Sequence, residues 1–91
     1  MIVEIENFKR KQLIDEFCNK CDLEAYRDLV ANLLDLIKQS DCDICCSSIS
    51  CVSSYSGGII RIGVKTKRKS NLHFLWEILH EYGHFLSGPP S

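Results

Sequence analysis

Two histidines and a glutamate form a His-Glu-x-x-His pattern near the end of the chain, as His80, Glu81 and His84. Residues four apart in an α-helix lie one turn apart on the same face, so both imidazoles can approach one metal ion. Neutral imidazole is a common zinc ligand, and zinc lowers the pKa of its bound water to about 7. A carboxylate beside that water can act as a general base. The spacing therefore predicts His80 and His84 as zinc ligands and Glu81 as the catalytic residue.

A catalytic zinc site usually has three protein ligands, and this pattern supplies two. His73 precedes His80 by roughly 10 Å along a helix axis, which is too far for a shared ion. Glu77 is closer, but we expect it to orient His80 or to face solvent. The other candidates need the tertiary fold to bring them near, and these are Asp41, Asp43 and the cysteines of a predicted hairpin. The third ligand is most simply expected downstream of the pattern.

The helix that carries the pattern needs a core to hold it. Residues 72–86 are strongly apolar, Ser70 or Asn71 can cap the start of this helix, and Gly88 with the following prolines can end it. Burial would give the ligands a fixed geometry. The side chains expected to bury it are Leu72, Leu75, Trp76, Leu79 and Leu86.

Two helices are predicted before this one. Apolar residues recur at helical spacing from Asn7 onward, and residues 2–5 fit either a strand or the lead-in to that first helix. Asp22 is a plausible N-cap for the second helix. The apolar stripe of the second helix comprises Leu23, Tyr26, Val30, Leu33, Leu34 and Ile37.

After the second helix, the spacing of the apolar residues changes from a helical period to alternation. Residues 42–52 and residues 59–65 alternate in the manner of strands, and the turn-forming residues 53–58 separate them. These runs predict an antiparallel hairpin. The order of helix, helix, hairpin and helix predicts an α+β fold for residues 1–91 as a single domain.

Composition and charge restrict the class of protein. The chain has 91 residues, of which 45% are hydrophobic, and a formal net charge of −1. The lack of a basic excess argues against nucleic acid as a partner. A membrane span is not expected, because no long apolar run is free of charge. The acidic first residues differ from a signal peptide, so we expect a cytoplasmic protein.

Six cysteines allow a second metal hypothesis. Cys18 and Cys21, together with Cys42 and Cys45, have a spacing similar to that of a four-cysteine structural zinc site. On a regular strand, however, Cys42 and Cys45 would point to opposite faces. Reduced cysteines that pack as small apolar residues are the simpler interpretation.

Residues 57–88 resemble the ImmA/IrrE-type family of zinc metallopeptidases, which carry an HExxH motif of the gluzincin kind. The resemblance rests on the strand-like residues 59–64, the polar connection after them, and the apolar helix of residues 75–86 with its His-Glu-x-Gly-His pattern. Tyr82 stands where the family often has leucine.

The resemblance implies that His80 and His84 bind zinc and that Glu81 is the general base. It places the third ligand, an acidic residue or a histidine, on a later helix, so that this chain would be the front part of such a peptidase, either the N-terminal part of a longer metallopeptidase domain or a naturally short relative. Members of the family are cytoplasmic proteases that cleave a protein substrate, often a DNA-binding transcriptional repressor. The family also implies that substrate binds alongside a sheet edge, which the hairpin could offer.

The predicted function is therefore zinc-dependent hydrolysis of peptide bonds in a protein substrate. Two alternatives remain open. The chain could be a non-catalytic regulatory or protein-binding module that keeps the fold of a zinc peptidase, or a purely structural four-cysteine zinc domain. The sequence does not predict an oligomeric state.

Overall fold

The computed structural model describes the backbone of residues 2–88 and the side chains of residues 7–88. Within that part of the chain the fold is α+β, which confirms the predicted class. The helices are α1 (Ile2–Lys20), α2 (Arg27–Gln39) and α3 (Leu72–Ser87), and the strands are β1 (Asp43–Ser47), β2 (Ser54–Ser56) and β3 (Ile59–Gly63). None of the helices in residues 2–88 combines the length and the apolar character that crossing a bilayer requires.

The sheet has β3 at its centre, with β1 on one side and β2 on the other. An antiparallel hairpin does precede α3, but its strands are β2 and β3. Gly57 and Gly58 form its two-residue turn with φ of 58° and 80°, a conformation that suits glycine. β1 instead pairs with β3 in parallel, with Asp43 opposite Ile59. The expectation that residues 42–52 form the antiparallel partner is therefore wrong, because the tight glycine turn pairs β3 with the residues immediately before it.

The core lies where the helices meet the sheet. α1 and α2 pack together and both contact β1, whereas α3 packs on β2 and β3. The predicted stripe of α2 is buried except for Tyr26, which is 39% exposed. The largest fully buried side chains are Phe17, Leu23, Leu34, Ile37, Ile60, Ile62 and Ile78.

The first two helices begin at residues that settle two predictions made from the sequence. α1 already begins at Ile2, so residues 2–5 are the lead-in to a helix and not a strand. Asp22 is not the N-cap of α2, since α2 begins at Arg27 after a short 3₁₀ turn over Glu24–Tyr26. Asp22 has a φ of 55° and lies in the turn after α1. The fully buried Leu23 follows it, and we attribute the placement of this turn to that burial.

Gly63 permits a close approach between β3 and the loop before β2, and this gives a first prediction. A methyl group there would lie 2.8 Å from the carbonyl oxygen of Ser50 and 2.7 Å from the amide nitrogen of Val52. Both neighbours are backbone atoms, which cannot rotate away. We expect Gly63→Ala to lower the free energy of unfolding by about 1–3 kcal/mol, as overpacking usually does.

Chemical denaturation of Gly63→Ala and Gly83→Ala would test this expectation. Gly83 is a matched control, because its added methyl group would meet no described atom within 4 Å. In a helix, alanine is favoured over glycine by about 1 kcal/mol, so Gly83→Ala should be neutral or stabilising. Equal stability of Gly63→Ala and the parent would contradict the close approach.

Candidate metal centre

α3 is the element that carries the His-Glu-x-x-His pattern, and both of its ends match the prediction. The hydroxyl oxygen of Ser70 accepts a hydrogen bond from the backbone N–H of Leu72 at 3.3 Å. The side chain of Asn71 instead donates to the carbonyl of Asp22 at 2.6 Å, which ties the start of α3 to the turn after α1. The helix ends at Ser87, and Gly88 follows with a φ of 76°. Such a glycine ends helices because it tolerates positive φ without strain.

The face that α3 buries differs from the predicted one. Of the five residues expected in the core, only Leu75 is buried, and the other four (Leu72, Trp76, Leu79 and Leu86) are at least 45% exposed. The buried residues are Phe74, Leu75, Glu77, Ile78, Glu81 and Tyr82. α3 is apolar on most of its circumference, so hydrophobicity alone does not select a stripe. As a result, both carboxylates of α3 face inward, and His80 and His84 face outward.

Tyr82 shows how the helix is fixed to its neighbour α2. Its ring is buried, and its hydroxyl lies 2.6 Å from the hydroxyl of Ser40, immediately after α2. A buried tyrosine hydroxyl needs such a partner. This contact explains why position 82 carries a tyrosine, because a leucine there could not form the hydrogen bond with Ser40.

The two histidine rings converge as the spacing predicts. The Nε2 atoms of His80 and His84 are 3.2 Å apart, and the two rings are nearly perpendicular, at 86°. Two nitrogens that each lie 2.0–2.1 Å from a tetrahedral zinc ion are separated by about 3.3 Å. The observed separation therefore fits a shared ion. It also fits a hydrogen bond between two neutral rings, in which one N–H donates to the other nitrogen.

Glu81 completes the group from the inner side of the helix. A carboxylate oxygen of Glu81 and the ring nitrogens of His80 and His84 all lie within 4.8 Å of one another. Glu81 is only 6% exposed, and its Oε2 is buried without a hydrogen-bond partner among the described residues. A buried carboxylate oxygen without a partner is costly, so this oxygen requires a hydrogen-bond donor or a cation. A water molecule or a bound cation would supply one.

Glu77 does not join this site, contrary to both expectations for it. It neither orients His80 nor faces solvent, because Arg68 and Ser53 bind its carboxylate. The Nε and Nη2 atoms of Arg68 donate to it at 2.8 and 2.9 Å, and the hydroxyl of Ser53 donates at 2.7 Å. Burial opposes the charge on Glu77, but these bonds and the charge on Arg68 hold the pKa of its carboxyl below the ordinary value.

Besides its ion pair with Glu77, Arg68 forms hydrogen bonds that make a junction between α3 and three other segments. Its guanidinium donates to the carbonyls of Gly63 and Cys51 at 3.0 and 3.3 Å, and also to the carbonyl of Thr66. One side chain therefore joins the end of β3, the loop before β2 and the connection after β3. The ion pair with Glu77 fixes α3, and hence the two histidines, to that junction.

The other proposed ligands do not reach the site. Asp43 accepts a hydrogen bond from Lys38 at 2.9 Å, and Asp41, His73 and the cysteines are not part of any three-residue ligand group in residues 7–88. Within the described residues, the site thus has two imidazoles and one carboxylate. Sequence reasoning identified these three residues but did not show that Glu81 would be buried.

The alternative four-cysteine cluster does not form among the described residues. All six cysteines have free thiols. Burial raises the pKa of the Cys18 and Cys42 thiols. Cys18, Cys21 and Cys42 are buried members of the hydrophobic core, and this favours the packing interpretation over a structural zinc site.

The chain matches no protein-family model, no curated protein and no solved structure. The resemblance to the ImmA/IrrE-type family therefore rests on the sequence pattern itself.

Proposed function

We propose that this chain is the zinc-binding part of a peptide hydrolase, with His80 and His84 as metal ligands and Glu81 as the general base. The observation that carries the proposal is the buried, unpartnered carboxylate of Glu81 beside two converging imidazoles. An ordinary surface histidine pair would have no acid behind it. An ordinary buried glutamate would have a hydrogen-bond donor, as Glu77 has.

The proposed chemistry divides between the metal and the chain. Bound zinc would lower the pKa of a coordinated water and polarise the carbonyl of the peptide bond. Glu81 would accept the proton of the attacking water and deliver it to the amine as the carbon–nitrogen bond breaks, leaving a carboxylic acid and an amine. Its burial keeps the carboxylate in a poorly solvated setting where its charge acts strongly on nearby groups.

The free thiols and the family resemblance support a proposed location, substrate and third zinc ligand. The free thiols of all six cysteines fit a reducing compartment, which supports a cytoplasmic location. The resemblance to the ImmA/IrrE-type family supports a protein substrate, such as a DNA-binding transcriptional repressor, and a third zinc ligand beyond α3.

Metal binding by histidine variants tests the proposal, and we expect one zinc or cobalt ion per parent chain. His80→Ala and His84→Ala should each weaken binding by at least about 100-fold, since even an outer-shell partner of a zinc ligand contributes 10- to 100-fold. Isothermal titration and elemental analysis after dialysis would measure affinity and stoichiometry.

Two matched controls make the test specific. His73 is an exposed histidine on the same helix, so His73→Ala should bind metal like the parent. Cys45→Ser should also retain the ion, whereas a structural cysteine site predicts its loss. If His73→Ala weakened binding as much as His80→Ala, the assigned pair of ligands would be wrong.

A second candidate is a non-catalytic protein-binding module, and exposed apolar side chains favour it. Leu29, Leu36, Trp76, Leu79 and Leu86 are each at least 50% exposed on α2 and α3. Large exposed apolar patches often mark protein interfaces. This candidate predicts weak or no zinc binding and no peptide hydrolysis. A peptide-library assay in the presence of zinc, with metal content measured beside it, would distinguish the two.

A further inference from the structure

Trp76 occupies a position that core packing does not explain. It is the single tryptophan of the chain, and it is 56% exposed on α3. Tryptophan buries a large area in most proteins, so its exposure leaves much of that stabilisation unused. Its ring contacts two histidines of α3: it lies tilted against His73, with centroids 5.3 Å apart, and it stacks on His80, one helical turn later.

The indole ring of Trp76 stacks on the imidazole ring of His80. Their centroids are 4.8 Å apart, and the angle between the planes is 15°. An exposed side chain normally changes rotamer on a picosecond-to-nanosecond timescale. A flat ring stacked on one face of the imidazole opposes this motion while leaving the edge that carries Nε2 free. That edge is the one that faces Nε2 of His84, at 3.2 Å.

We propose that Trp76 is a positioning residue for the metal centre, which holds His80 in its ligand orientation before an ion arrives. The inference rests on the proposed metal site and adds to it a residue that does not touch the ion. Preorganisation of this kind improves affinity because less freedom is lost on binding. Stacked aromatic pairs contribute enough to predict a roughly 2- to 10-fold loss of metal affinity without the ring.

Cobalt titration of four proteins provides the test, with the visible absorption of bound cobalt as the signal. Trp76→Ala should bind cobalt about 2- to 10-fold more weakly than the parent. Trp76→Phe keeps a flat ring and should restore most of the affinity. Leu86→Ala is the matched control, since Leu86 is also an exposed apolar residue of α3, at 64% exposure.

Proton NMR of the metal-free chain adds a readout that a general loss of stability would not produce. The ring current of the stacked indole should shift the Cε1 proton of His80 upfield. Trp76→Ala should abolish this shift, and Leu86→Ala should preserve it.

The outcomes separate this inference from the proposed function. A parent chain that fails to bind cobalt would overturn the metal site and this inference with it. A parent that binds, with equal affinity in Trp76→Ala, would overturn the positioning role alone. Weaker binding in Leu86→Ala and Trp76→Ala alike would also overturn it, because the effect would then not be specific to the stacked ring.

Discussion

Glu81→Gln is expected to reduce peptide hydrolysis by a factor of about 10²–10⁴, the usual contribution of a general base, while zinc remains bound. Glutamine has nearly the same shape as glutamate, but its amide does not accept the proton of the attacking water. His80 and His84 would keep their geometry, because Glu81 is not the residue on which either ring stacks. Rates of cleavage by zinc-loaded protein, measured beside metal content, would separate the two effects.

A control and a stability measurement accompany this variant. Glu24→Gln makes the same chemical change at an exposed carboxylate near the opposite end of the chain, and it should cleave like the parent. The metal-free Glu81→Gln chain should be at least as stable as the parent, since the change removes a buried charge without a partner. Undiminished hydrolysis by Glu81→Gln would falsify the assigned base.

Arg68→Met is expected to lower the free energy of unfolding by about 3–5 kcal/mol, because it leaves the Glu77 carboxylate buried and without its cation. The side chains of Arg68 and Glu77 are only 15% and 10% exposed. A loss of this size is a large share of the roughly 5–15 kcal/mol that stabilises a domain. Urea denaturation of the variant would measure it.

Two comparisons show whether the cause is the unpaired charge. The double variant Arg68→Met with Glu77→Met should recover much of the loss, since replacing both members of a buried pair by apolar residues is often neutral. Arg10→Met breaks the ion pair between Arg10 and Asp35, whose side chains are 51% and 34% exposed, and it should cost much less stability than Arg68→Met. Equal costs for Arg68→Met and Arg10→Met would contradict the buried junction.

The same ion pair predicts a pH dependence. The pKa of Glu77 is lowered in the folded chain from its ordinary value of 4.5, so the unfolded chain binds this proton more readily. The resulting stabilisation is fully present above the ordinary value and is lost as the pH falls through the lower folded pKa. Acid unfolding curves of the parent should contain this contribution, and those of the double methionine variant should lack it.

The sequence predicted the proximity of His80, Glu81 and His84 better than it predicted what holds α3 in place. His80 and His84 lie on the same face of α3 because a helix fixes the relation of residues four apart. The burial of Glu77 depends on Arg68, which lies in a connection that composition alone describes as a solvated basic run. That pairing is a tertiary contact, and no local pattern encodes it. The buried face of α3 could not be predicted for the same reason.

In the sheet too, a local feature was predicted from the sequence and a tertiary contact was not. Gly57 and Gly58 predicted a turn correctly, because their conformational freedom is local. Alternating residues in β1 predicted a strand, but alternation does not distinguish a parallel neighbour from an antiparallel one. β1 packs against α1 and α2 and pairs with one side of β3, while β2 pairs with the other side, and these are tertiary contacts.

The outward orientation of His80 and His84 has a kinetic consequence. No loop or helix of residues 7–88 has to open before a small chelator can approach these two rings. An ion held there would exchange by direct attack, so the rate of its removal should rise in proportion to chelator concentration. An ion held by these two rings alone would therefore be removed faster than an ion enclosed in a protein core.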